Sequence, residues 1–565
     1  MANVFQTISA SINNLEASGS FIASGSVNMI SLASASKPNL IAFDSASGQL
    51  YYTSTSSVAT QPGGTNTQIQ FNYSGAFLGG SSLKLNSNLS GLENGTLVTA
   101  SGISSHAEGI KSAATNMGSH AEGGYYTVGF GTTYYPGGIA SGTSSHAEGV
   151  GTEASGLGSH AEGWATIASG SYSHAEGVNT LAENEYTHTE GSNTIAKGVS
   201  SHTEGYSTVA EADYSHAEGY NAIVAPGADG AHAEGLSTIA SGSASHAEGS
   251  GTIASGYSSH AEGKASQASG SFSHAEGQST IAEGGASHAE GYTTLTSGSY
   301  SHAEGSNTIA LGDASHAEGR ETIALGDFSH AEGYATTASG VYSHAEGWAT
   351  IASGSYNHAE GSSTIASGYS SHAEGEATKA AVTYSHAEGS GTIASGIASH
   401  AEGYSTSTVG YASHAEGEST IASGYASHAE GTATNTYGSA SHAEGSGTEA
   451  SGNFSHAEGY KTKAYGLASH AGGANTIASG SYQTVIGSFN THNETTSPFI
   501  VGLGTGNSAR EDAFKVTHSS SIVVATGSGL PTWVGTEGEI KPYVSASKYF
   551  LAMFIGGAWR SSSFI

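Results

Sequence analysis

Ser105-His106-Ala107-Glu108-Gly109 is a five-residue word that this chain repeats over most of its length. Its histidine recurs at 106, 120, 146 and 160, then every 14 residues to 216, then at 232 and every 14 residues to 470. Twenty-six of the 28 histidines fall in this register. Glu stands two residues later in 25 of the 26 copies, Gly472 being the exception. Half a period away lies a second word, Thr-Ile-Ala-Ser-Gly, at Thr166 to Gly170, Thr252 to Gly256, Thr350 to Gly354, Thr392 to Gly396 and Thr476 to Gly480. Both words fit Ser/Thr-x-Ala-x-Gly followed by two loose residues. The unit is therefore seven residues, doubled into a 14-residue coil, and a fixed short period of this kind is the signature of a solenoid.

Seven residues suit a strand of three to five residues plus a tight turn. Recurrent Gly supplies positive φ or close backbone approach at each corner, and Ala keeps one face thin. Stacked coils then pair as parallel strands about 4.8 Å apart. No proline occurs from Gly227 to Ser497, as expected where backbone N–H groups are used in ladders. The predicted fold is all-β: a repetitive parallel β-roll, or β-solenoid, with a short N-terminal helix and a C-terminal β knob.

With 83 Gly in 565 residues and 11% charged residues, composition alone suggests disorder. The strict register overrides it, because each coil buries its small inner face on the next. The formal net charge is −32 with only 14 Lys and Arg, which argues against nucleic acid, since phosphate binding needs clustered cations. The 28 His nearly offset the excess acid, so net charge moves strongly as pH falls through about 6.5. There is no Cys, hence no disulfide and no thiolate metal site. The opening residues, MANVFQTISASINN, carry no signal-peptide pattern, and no run of 18 apolar residues exists, so no membrane insertion is expected.

In chain order, residues 1–60 form an attachment region in which Phe5, Ile8, Ile12 and Leu15 make a heptad-like seam. Phe21 to Tyr52 reads as short strands. Residues 61–97 are a small β transition segment opening at Pro62-Gly63-Gly64. The repeat shaft runs over 98–480, interrupted by 12 extra residues between His120 and His146 and by two around Pro226. A cap module at 481–520 and a hydrophobic knob at 521–565 follow.

At Ser/Thr-x-Ala-x-Gly the resemblance becomes specific. The doubled unit looks like the head repeat of trimeric autotransporter adhesins, the YadA-like left-handed parallel β-roll, and it covers about two thirds of the chain. The flanks, Thr65 to Phe77 and Tyr482 to Val516, resemble elements of bacteriophage tail fibres, which carry the same repeat. The resemblance implies a left-handed roll, a homotrimer, a virion location, virion baseplate or tail proteins as partners at the N-terminus and a host surface glycan or protein at the C-terminus. It implies a structural and adhesive fibre; the alternative is an extracellular or cell-surface trimeric adhesin binding through the roll itself. Trp533, Tyr543, Tyr549 and Trp559 are the candidate receptor contacts, because aromatics anchor interfaces.

The remaining candidates are the ladder, represented by His106, Glu108, His246, Glu248, His302, Glu304, His400, Glu402, His456 and Glu458. Two residues apart, His and Glu share one face of a strand, and stacking sets His over His and Glu over Glu. A bare carboxylate column repels itself, and an adjoining His column neutralises it or donates hydrogen bonds. The ladder reads as architectural, at a subunit interface or inside the roll. His-x-Glu offers N and O ligands, but no copy supplies a full set alone, so no metal and no cofactor is assigned. No enzyme is expected, since a catalytic triad needs one oriented His rather than a periodic array. Thr252, Thr308, Thr350 and Thr392 make a thin case for an ice-binding face. Sequence parity leaves the faces open. Either Ala and Ser point inward and His, Glu and Ile outward, Ile then demanding a partner chain, or Ile and with it His point inward.

Overall fold

The structure, a computed structural model, describes residues 92–127 and 133–517 except 492, together with strands at 39–44, 49–54, 68–73, 76–85, 522–524, 527–528, 540–545, 548–555 and 558–563. It is all-β, a β-solenoid of about 29 parallel turns in all, with no helix among the described residues. The seam at Phe5, Ile8, Ile12 and Leu15, where a helix is predicted, lies outside the described residues. The chain divides into two compact units, 1–250 and 251–565.

Every coil is built alike, and the coil from Ser159 shows how. Ser159 and Ala161 are buried while His160 and Glu162 are only half-buried, so the chain alternates in and out from Ser159 to Glu162, at the start of the long strand His160–Trp164. The short strand Ile167–Ala168 repeats the pattern: Thr166 and Ala168 are buried, and Ile167 and Ser169 face outward. The core is therefore two thin layers of Ala flanked by Ser and Thr. The inward Ser closes its turn by donating its hydroxyl to the Gly carbonyl three residues before, as Ser159 Oγ to Gly156 O at 2.9 Å and Ser173 Oγ to Gly170 O at 2.7 Å. The two layers lie close enough that Thr in an Ala position spans them: Thr296 and Thr436 donate to Ser287 and Ser427, each at 3.0 Å.

Coils pair in parallel at a shift of one period, His146 on His160, Ala147 on Ala161, Glu148 on Glu162. The insertions leave this register intact. His120 pairs with His146 across the first, part of which is a two-stranded hairpin of Tyr125–Thr127 with Thr133–Tyr135; His216 pairs with His232 across the second.

Recurrent Gly supplies positive φ or close approach as expected, but it is not alone at the corners. Left-handed backbone is carried mostly by other residues, such as Ala165, Tyr172, Asn179 and Tyr186, at φ of 56–60°. Each costs on the order of 1 kcal/mol, offset by a hydrogen bond between coils, as Tyr172 N to Leu157 O at 2.7 Å and Ala165 N to Val150 O at 2.8 Å. The repeated Gly is needed for close approach as well. A Cβ at Gly163, where φ is 110°, would lie 2.1 Å from the carbonyl oxygen of Gly177; at Gly156 it would lie 1.8 Å from that of Gly170.

In the first unit, strands Asn39–Asp44 and Gln49–Ser54 pair antiparallel, as do Gln68–Tyr73 and Ala76–Leu85. Leu92 already pairs with His106, so the stack starts one coil before the first His. In the second unit it continues past the last His, with His470 on Thr484 and Thr484 on Phe499. Arg510 closes that end, donating from Nη1 to the carbonyls of Asn475 at 2.7 Å and Asn490 at 3.3 Å. A four-stranded sheet at 527–528, 540–545, 548–555 and 558–563 forms the C-terminal β knob.

Candidate functional site

The inward positions are filled almost entirely by Ala, Ser and Thr, so the His–Glu ladder lies on the outer face of the long strands and not inside the roll. The parity question is thereby resolved, with His, Glu and Ile all pointing out. Leu311 and Tyr465, which match the Glu position in the other half-coil, are likewise 39% and 41% exposed. The ice-binding alternative fails on the same fact: Thr252, Thr308, Thr350 and Thr392 are fully buried.

In the first unit the imidazoles from His106 to His246 form one stack. Ring centroids lie 4.6 Å apart for His106 and His120 and 4.8 Å for His232 and His246. In the second unit the stack runs from His260, 4.8 Å from His274, to His470, 5.0 Å from His456. Most planes are within a few degrees of parallel, because in-register strands repeat the same side chain at the strand spacing. Nε2 stands beside the carboxylate of its own coil: 3.4 Å in His106–Glu108, 3.6 Å in His246–Glu248 and His400–Glu402, 3.8 Å in His302–Glu304. His456 instead lies closest to Glu444 of the preceding coil, at 3.7 Å. Several imidazoles sit between two carboxylates. His400 is 3.7 Å from Glu388 and 3.6 Å from Glu402; His428 is 3.3 Å from Glu416 and 3.9 Å from Glu430. Most of these separations are too long for hydrogen bonds. Although each imidazole is about one third exposed, the Nε2 atoms from His120 to His232 and from His274 to His470 are shut off from solvent, and none of these has a hydrogen-bond partner.

Two electrostatic consequences follow. The imidazoles of His302, His316, His330, His358, His386 and His400 are held below the ordinary value, first by desolvation and second by a stacked neighbour, against the pull of the carboxylates. From Glu290 to Glu444 the carboxyls alternate. Those of Glu318, Glu346 and Glu374 are pushed up to about 7, chiefly by hydrogen bonds to the carboxylates above and below, while those of Glu332 and Glu360 are held low by the same bonds. Alternate members of this stretch thus keep a proton into the neutral range and share it with their neighbours. A groove of about 1070 Å³ runs along this column, lined by Glu360 to Glu458 and the Gly residues beside them.

Of the knob residues, Trp533 lies outside the described residues. Tyr543 and Tyr549 are on adjacent antiparallel strands, Tyr543 opposite Phe550 and Tyr549 opposite Val544. Trp559 pairs with Phe554 and is half-buried.

One feature escaped the sequence reading. Aromatics recur two residues before His, among the loose positions, and occupy left-handed corners: Tyr172, Tyr186, Phe328, Tyr342 and Tyr356. They are 47–58% exposed and stack on one another, at 5.5 Å for Tyr172–Tyr186, 4.8 Å for Phe328–Tyr342 and 5.0 Å for Tyr342–Tyr356. Their period was legible; only their assignment to loose residues hid them. No protein-family model matches this chain, and no curated protein matches it.

Proposed function

We propose that this chain is the structural and adhesive fibre of a virion, a left-handed homotrimeric β-roll that projects a host-binding tip. The observation that carries the structural reading is the filled interior. Small side chains, chiefly Ala, Ser and Thr, fill the inside of the described coils, leaving no room for a substrate, so whatever the molecule contacts it contacts with its outer faces and ends. The trimer is supported by the outward column of the short strands, where Ile223, Ile351, Ile393 and Ile421 remain 36–42% exposed. A second copy covering that column removes apolar surface from water, at roughly 25 cal/mol per Å². In this reading residues 1–60 join the particle through baseplate or tail proteins, and the knob, with Trp533, Tyr543, Tyr549 and Trp559, meets a host surface glycan or protein. Light scattering of the intact chain tests it. A mass near three times 56.3 kDa is expected, and a monomer refutes it.

The exposed aromatic corners favour a second reading, an extracellular or cell-surface adhesin that binds through the roll. Loss of cell binding on replacing Tyr342 and Tyr356 with Ser, with the knob unchanged, selects this reading over the first.

A further inference from the structure

We propose that the His–Glu face is a linear array of sites for a divalent transition metal of the zinc class. Each ion is held by Nε2 of one coil, the carboxylate of that coil and the carboxylate of the coil before. No single copy supplies such a set, but stacking does. An ion bound at 2.0–2.2 Å accepts donors up to about 4 Å apart. Nε2 of His386 lies 3.9 Å from Glu374 and 3.8 Å from Glu388; Nε2 of His400 lies 3.7 Å from Glu388 and 3.6 Å from Glu402. Glu388 offers Oε2 to one imidazole and Oε1 to the next, so consecutive sites share ligands. The same N,O,O grouping recurs at His274 and His428.

The orphan nitrogens are the second observation. At His274, His386, His400 and His428 the Nε2 atoms are screened from solvent and lack any hydrogen-bond partner, a costly state for a ring nitrogen unless something binds it. With the proton on Nδ1, the Nε2 lone pair points at the carboxylates. Parallel rings with centroids 4.8 Å apart, as for His372 and His386, do not converge, so each ion takes one nitrogen and completes its shell with carboxylate oxygen and water. Imidazole with carboxylate suits Zn²⁺ and its neighbours in the first transition row, whereas Mg²⁺ prefers an all-oxygen octahedron. With neutral His and one Glu per coil, charge balance sets one dication per two coils. For 25 ladder carboxylates that is about 12 ions per chain. All ligands come from one chain, so the array is independent of the oligomeric state.

The test is equilibrium dialysis of the tag-free, chelator-stripped full chain against Zn²⁺ at pH 7.5, with Mg²⁺ as control, and metal content read by mass spectrometry. About 12 Zn²⁺ and no Mg²⁺ are expected, with a melting temperature that rises with Zn²⁺ concentration. The variant with Glu360, Glu374, Glu388, Glu402, Glu416, Glu430, Glu444 and Glu458 all changed to Gln keeps a stackable side chain and loses about four ions. If that variant fails to fold, the triple change His386→Gln, His400→Gln and His428→Gln decides instead, by losing one or two. Binding of only one or two Zn²⁺ by the parent chain overturns the proposal. So does an unchanged ion count in a folded variant.

Discussion

Two glycines of one coil, two residues apart, separate close approach from left-handed geometry. Gly389 has φ of 102°, and a Cβ there would lie 2.1 Å from the carbonyl oxygen of Gly403. Cβ atoms do not come within 3.0 Å of such a neighbour, so Gly389→Ala forces the coils apart locally by about 1 Å. That oxygen accepts the ladder bond from Ser390 N at 2.8 Å, and Glu388 N donates to Ala401 O at 2.9 Å alongside it. Backbone strain of about 1–3 kcal/mol and one or two spoiled buried hydrogen bonds, at about 1–3 kcal/mol each, give a cost of about 3–6 kcal/mol. Gly391 has φ of 66° and nothing closer than Ser405 Oγ at 3.6 Å. Ala already occupies the matching corner at Ala335, Ala349 and Ala377, so Gly391→Ala stays within about 1 kcal/mol of the parent. Damage in a solenoid is local, so the assay is hydrogen exchange by mass spectrometry. Peptides covering 386–404 should exchange at least about a hundredfold faster in Gly389→Ala and near the parent rate in Gly391→Ala. Equal rates in the two variants, or a silent Gly389→Ala, refute the close-packing argument.

Further perturbations test the core, the ladder and the corners. Ala352→Thr should be tolerated, because Thr296 and Thr436 in the same position bond the facing Ser at 3.0 Å, whereas Ala352→Leu overpacks the thin core and costs about 1–3 kcal/mol or more, read as a lowered denaturation midpoint. For metal-free protein the signs of the ladder shifts oppose one another. Imidazoles held low make the unfolded chain the better proton acceptor below pH 6.5, so stability falls as pH drops through that value; carboxyls raised to about 7, such as Glu346 and Glu374, lose their stabilising proton as pH rises through 7. The melting temperature should therefore peak near neutrality and decline on both sides, and a flat profile from pH 5 to 9 contradicts the shared-proton ladder. Tyr342→Ala at an exposed corner should cost no more than about 1 kcal/mol, the worth of its contacts with Phe328 and Tyr356; a larger loss in thermal melts means the aromatic corner is structural.

The period alone was enough to reveal the roll, since a 14-residue repeat of Ser/Thr-x-Ala-x-Gly admits few other folds. The orientation of His106 or Ile167 was not legible, because in a period-two strand the inside is whichever set packs, and both alternating sets contained apolar residues. What decides it is thickness. With the two layers close enough for Thr296 to reach Ser287, the space between them takes chiefly Ala, Ser and Thr, with Val at 224 and Asn at 357, and the recurrent Ile goes out. Nor was it legible that further left-handed corners would fall on Tyr172 or Ala165. That follows from the distance between coils, which a single coil's sequence does not contain.

In-register stacking has an unavoidable electrostatic consequence, for whatever a coil displays is set against its own copy about 4.8 Å away. At the second outward site of the short strands the chain escapes by variation, with Ser169, Lys197, Glu211 and Leu311. Lys197 bridges to Glu211 of the next coil. On the long strands it does not vary, and identical carboxylates face one another for many coils. Such a column stands only if part of its charge is removed. Part of it is offset by retained protons, as at Glu318, Glu346 and Glu374, and a dication between coils would achieve the same end. The invariance of His beside it then has a physical reason: every carboxylate needs an adjoining group that tolerates its own copy at the strand spacing, and a neutral stacked imidazole does so where Lys or Arg would repel.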